Sequence, residues 1–165
     1  MRISIILTFS FLSVLFAQTQ LGSDIDGEAA YDYSGYSVSL DSDGDRVAIG
    51  ARANDGTASS AGHVRIYEYS NSSWSQLGSD IDGEAEDDES GYSVSLDSDG
   101  DRVAIGARYN DGTANDAGHV RIYEYSNSSW SQLGSDIDGE AEYDESGNSV
   151  SLDSDGDRVA IGARY

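Results

Sequence analysis

Residues 34–51 read SGYSVSLDSDGDRVAIGA. The same stretch returns at 90–107 unchanged, and at 146–163 with Asn148 in place of tyrosine. Outward from Asp43-Gly44 the apolar residues alternate in step on both sides. Leu40 falls opposite Val47 and Val38 opposite Ile49. An Asp-Gly pair between two alternating runs predicts a hairpin, because a type I′ turn needs positive φ at both central residues. The same register sets Asp41 opposite Arg46 as a cross-strand ion pair, a kind of contact that contributes roughly 0.2–1 kcal/mol.

The hairpin belongs to a longer unit. Leu21–Glu28, LGSDIDGE, recurs at Leu77–Glu84 and Leu133–Glu140, so the period is 56 residues. Residues 21–76 and 77–132 differ at six positions only: Ala30/Glu86, Tyr31/Asp87, Tyr33/Glu89, Ala53/Tyr109, Ser59/Asn115 and Ser60/Asp116. All six fall between the expected strands, where loops vary and packed strands do not. Residues 133–165 form a third, incomplete copy. Within one period four strands are expected: Tyr36–Leu40, Arg46–Ala51, His63–Tyr69, and Trp74–Leu77 with a continuation toward Ile81. No stretch after the leader carries helical periodicity. The opening Gln20–Ile25 reads as the last strand of a unit that lacks the other three. Four antiparallel strands in a period of this length fit a propeller blade better than a solenoid coil.

Side-chain size points the same way. One face of the hairpin carries Tyr36, Val38, Leu40, Val47 and Ile49, and the other Ser37, Ser39, Ala48 and Gly50. Neighbouring sheets can then approach large against small. Trp74 is expected near an outer rim, with its N–H satisfied.

Composition restricts the partners. The chain has 165 residues, nine basic against 31 acidic, no cysteine and no proline, and a net charge of −22. Such a surface excludes a phosphate-backbone binder, which needs a basic face, and opposes docking on anionic lipid. It suits a protein in a salty or calcium-rich medium that screens self-repulsion. Without cysteine there is no disulfide framework. Residues 1–17 carry one arginine and then a largely apolar run ending at Ala17. They read as a secretory signal, leaving residues 18–165 as a secreted chain with no membrane insertion after cleavage. An uncleaved N-terminal anchor is the alternative.

Ser34-Gly35-Tyr36-Ser37-Val38, Asp41-Ser42-Asp43-Gly44-Asp45 and Ala48-Ile49-Gly50-Ala51 together resemble the FG-GAP repeat of integrin-α-type β-propellers. The resemblance runs from Leu21 to Tyr165 in three tandem copies. It implies one propeller blade per repeat, an extracellular or cell-surface location, and a role in adhesion or ligand binding. Two positions depart from the pattern: Ser34 stands where the family has phenylalanine, and Arg52 where it has proline.

Two groups of carboxylates are candidate calcium ligands. Asp41, Asp43 and Asp45 have the 1-3-5 spacing of a calcium loop, and hard cations take several oxygens from a flexible loop. Against that, Arg46 stands where the family's loop has a further acidic residue. A plain hairpin explains the same residues. The second group is the acidic connection of Asp80, Asp82, Glu84 and Asp87, whose carboxylates repel unless solvated or bridged by cations. His63 and His119 each begin a strand and read as locally hydrogen-bonded residues. No GxSxG serine and no carboxylate in an apolar pocket supports catalysis. Near-identical repeats also lack the blade-specific residues a single catalytic centre needs.

The expectation is therefore an all-β chain of partial β-propeller blades, secreted and non-enzymatic, that binds an extracellular protein or glycan. No cofactor beyond calcium is implied. Tyr31, Tyr33, Tyr109 and Tyr143, at or beside the variable loop positions, are the candidate ligand contacts. The alternatives are a purely structural surface repeat, or the accessory propeller of an enzyme whose catalytic part lies elsewhere.

Overall fold

The computed structural model describes residues 19–165. The leader expected at residues 1–17 lies outside them. Among the described residues the chain is all-β and antiparallel, in three successive sheets, none of which closes on itself. The first holds β1 (Ser34–Leu40), β2 (Arg46–Ala51), β3 (His63–Ser70), β4 (Ser73–Gln76) and β5 (Ile81–Asp82). The second repeats it with β6 (Ser93–Leu96), β7 (Arg102–Ala107), β8 (His119–Ser126), β9 (Ser129–Gln132) and β10 (Ile137–Asp138). The third is the hairpin β11 (Ser149–Leu152) and β12 (Val159–Gly162). Among the described residues no helix is long and apolar enough to cross a membrane.

The apolar alternation fixes the register. Val38 pairs with Ile49 and Leu40 with Val47, and the second and third hairpins repeat this with Val94–Ile105 and Val150–Ile161. The turn differs from the expected one. Gly44 has φ 73°, whereas Asp43 does not enter the left-handed region, so the type I′ geometry is not formed. The Asp41 carboxylate instead turns into the loop and accepts from the amides of Gly44 (2.8 Å) and Arg46 (3.2 Å). A side-chain acceptor that satisfies two loop amides outcompetes the tight turn.

That choice also redirects Arg46. Its guanidinium pairs across β2–β3 with Glu68 at 3.0 Å, not with Asp41. Arg102 pairs with Glu124 in the same way. Arg158, on a hairpin with no third strand beside it, falls back on Asp153 at 3.4 Å.

The fourth strand is interrupted. β4 pairs with the outer half of β3 and β5 with its inner half; the Leu77 amide still donates to the Ile66 carbonyl (2.8 Å), and residues 78–80 bulge away between them. Residues 19–33 form no strand, contrary to the reading of Gln20–Ile25; the counterparts of residues 22–24 one repeat on, residues 78–80, likewise lie outside the sheet between β4 and β5. Trp74 meets its expectation: its Nε1 donates to the Leu21 carbonyl at 2.9 Å, and Trp130 donates likewise to Leu77 at 2.7 Å.

Neighbouring sheets stack through the small face of one and the bulky face of the next. Ser37 Oγ donates to the Gly91 carbonyl (2.7 Å), and the Leu96 amide donates to Ser39 Oγ (2.9 Å). The same bonds recur one sheet on, from Ser93 to Gly147 and from Leu152 to Ser95. A Cβ on Gly50 would collide with the Gly91 carbonyl, so glycine is what permits this approach. The core lies in the first of these interfaces. Ala48, Val64, Ile66 and Ile81 from the first sheet close on Val94, Leu96, Val103 and Ile105 from the second. At the open end of the stack the equivalent Val38 and Leu40 are 64% and 59% exposed.

Candidate functional site

The interruption of the fourth strand builds the site. Gly62, at φ 75°, turns the chain into β3, so that His63 is its first residue and pairs on both sides, with Ala51 and with Asp82. The bulge at residues 78–80 then carries Asp80 back over the imidazole. Asp80 Oδ2 lies 3.8 Å from His63 Nδ1, and Glu28 Oε2 lies 3.9 Å from the same nitrogen. The arrangement repeats around His119, with Asp136 Oδ2 at 3.7 Å and Glu84 as the other carboxylate. In each group the three potential ligand atoms lie within 4.8 Å of one another.

Each carboxylate is oriented through its other oxygen. Gln76 Nε2 donates to Asp80 Oδ1 at 2.5 Å, and Gln132 to Asp136 at 2.6 Å. Arg65 sits 3.6 Å from Glu28 Oε1 and anchors itself on the Asp26 carbonyl; Arg121 sits 3.3 Å from Glu84 Oε1 and anchors on Asp82. Both histidines are fully buried, while Glu28 and Glu84 are half exposed. The expectation that these histidines are hydrogen-bonded locally fails at His119, whose buried Nδ1 has no hydrogen-bond partner. Burial, followed by the neighbouring Arg121 charge, holds the His119 imidazole below its ordinary range, against the opposing pull of Asp136, Glu84 and Asp88. It is therefore neutral in neutral solution.

The acidic connection is thus divided among different environments. Asp80 and Glu84 belong to two separate histidine groups. Asp82 is held in β5, where its carbonyl accepts from Arg121. Asp87 is exposed at φ 64°. Asp88 points inward and accepts from Asn110 Nδ2 and the Ala85 amide, both at 3.0 Å, which fixes the loop. In the hairpin loop Asp41 is engaged with its own backbone, while Asp45 is raised above the ordinary carboxylate range chiefly by its hydrogen bond to Asp41.

The candidate tyrosines also separate. Tyr31 and Tyr143 occupy equivalent loop positions at positive φ and project into solvent. Tyr33 lies beside Arg52, 4.8 Å from ring centre to guanidinium, and Tyr109 lies 4.1 Å from Arg108. Arg52, which the sequence marks only as a departure from the FG-GAP pattern, and its counterpart Arg108 in the next repeat form a ladder with the acidic loops. Glu89 bridges Arg52 and Arg108, and Glu145 bridges Arg108 (3.8 Å) and Arg164 (3.6 Å). Their recurrence at the 56-residue period, alongside glutamates at a fixed offset, was the available signal.

No protein-family model matches the chain, and no curated protein matches it.

Proposed function

We propose that the chain is a secreted, non-enzymatic module of the β-propeller kind, built from FG-GAP-like blades, that binds an extracellular protein or glycan. Successive antiparallel sheets at a 56-residue period, stacked large face on small, support the blade reading. The observation that carries the binding reading is the contrast between near-invariant strands and variable loops that hold exposed aromatics in strained backbone. Tyr31, 86% exposed at φ 75°, and Tyr143 stand on loops pinned by inward aspartates and the arginine ladder. Rigid aromatics on fixed loops make contact area at small entropic cost. An array of glycans and extracellular proteins tests it: a ligand retained by the chain and lost on the triple change Tyr31→Ala, Tyr33→Ala, Tyr143→Ala supports the reading. Equal retention by the triple variant removes it.

A purely structural surface repeat is the second reading. The exposed Val38–Leu40 face that matches the buried Val94–Leu96 face favours it, since that surface is shaped to receive a further sheet. Self-association that is abolished by Val38→Asp supports this alternative.

A further inference from the structure

We propose that Glu84, His119 and Asp136, and their copies Glu28, His63 and Asp80, each bind one divalent cation of the zinc type, which ties a sheet to the segment leading into it. The His119 imidazole is buried, and its Nδ1 has no hydrogen-bond partner yet faces a carboxylate oxygen at 3.7 Å. A buried nitrogen of this kind costs free energy unless something fills its lone-pair direction. A second carboxylate stands within reach of the same point.

The donor set selects the ion class. One imidazole nitrogen and two carboxylates suit zinc and its neighbours, whereas calcium takes six to eight oxygens. Zinc bonds of roughly 2.0–2.1 Å at tetrahedral angles put ligand atoms about 3.3 Å apart. The histidine–aspartate distances need only a small closure to reach that, and the half-exposed glutamates can approach through one oxygen while the other keeps its arginine partner. Three protein ligands leave the fourth position of a tetrahedral ion for water.

The surroundings match what a metal centre requires of them. Partners on the far oxygens fix the orientation of its ligands. Gln132 and Arg121 do this for Asp136 and Glu84, as Gln76 and Arg65 do for Asp80 and Glu28. Glu84 lies in the connection leaving the first sheet, and His119 and Asp136 belong to the second sheet, so the ion would staple one to the other. The proposal is independent of any ligand held by the tyrosines.

The test uses the full chain, stripped with chelator and titrated with zinc in a calorimeter. The expected result is two ions per chain and a melting temperature raised by on the order of 5 °C per filled site. Asp136→Asn leaves one ion and Asp80→Asn/Asp136→Asn leaves none, with circular dichroism confirming the fold of each variant. These residues are partly exposed, so their replacement does not confound binding with unfolding as His119→Gln would. Cobalt in place of zinc gives visible absorption that the double variant loses. Absence of binding at submillimolar zinc overturns the proposal. So does a stoichiometry unchanged in the double variant, or a preference for calcium over zinc.

Discussion

Glu89 is shared between two sheets: its Oε2 accepts from Arg108 Nε at 3.0 Å, while its Oε1 pairs with Arg52. All three side chains are largely buried. Truncating one member of a buried pair leaves uncompensated charge and costs about 3–5 kcal/mol. Glu89→Ala should therefore lower stability by roughly 3 kcal/mol. Glu89→Gln, which keeps an acceptor, should cost less, as urea denaturation of the two variants will show.

Val38 and Val94 occupy the same place in near-identical repeats, yet only Val94 is buried. Val94→Ala should destabilise by about 1–2.5 kcal/mol, while Val38→Ala stays within about 0.5 kcal/mol. Equal effects in thermal melts would mean that the first interface is not the one described.

Gly50 approaches the Gly91 backbone more closely than a side chain allows. Gly50→Ala must push the two sheets apart, with an expected loss of about 1–3 kcal/mol. Gly44→Ala, where a Cβ meets nothing, carries only the cost of positive φ, about 1–2 kcal/mol. Comparing the two in denaturant separates packing from backbone strain.

His119 is buried as the neutral imidazole among Arg121, Asp136, Glu84 and Asp88. Its folded pKa lies below the ordinary 6.5, so the unfolded chain takes up the proton first. Its contribution to stability is complete above that value and declines as the pH falls below it toward the folded pKa. In metal-free protein, melting temperature should fall across this window. His119→Gln should flatten that part of the profile while lowering stability at pH 7.

Much of the fold was legible because its determinants are local and repeated. The Leu40–Val47 and Val38–Ile49 pairings follow from alternation alone, and the bounds of β2 fall where Arg46 and Ala51 mark them. The turn departs from the one that alternation predicts because Asp41 has two possible partners, the Arg46 side chain or the loop amides, and takes the amides. Composition cannot rank those. Gln20–Ile25 is not a strand because this part of the repeat leaves the sheet: its counterpart runs between β4 and β5 without pairing at residues 78–80.

The carboxylates were visible, but not which of them meet. Asp80 and Glu84 are close in sequence and serve different histidines, because the bulge before β5 turns one back over β3 while the other passes on to the next sheet. By itself the sequence determined the first three strands of each full repeat, their register, and which side of each sheet is bulky, since these depend on residues near in the chain. Only the tertiary structure decided which faces are buried, how Arg52, Glu89 and Arg108 interlock, and where His119 finds its two carboxylates. Those outcomes depend on how one sheet is set against the next, and that placement comes from long-range packing.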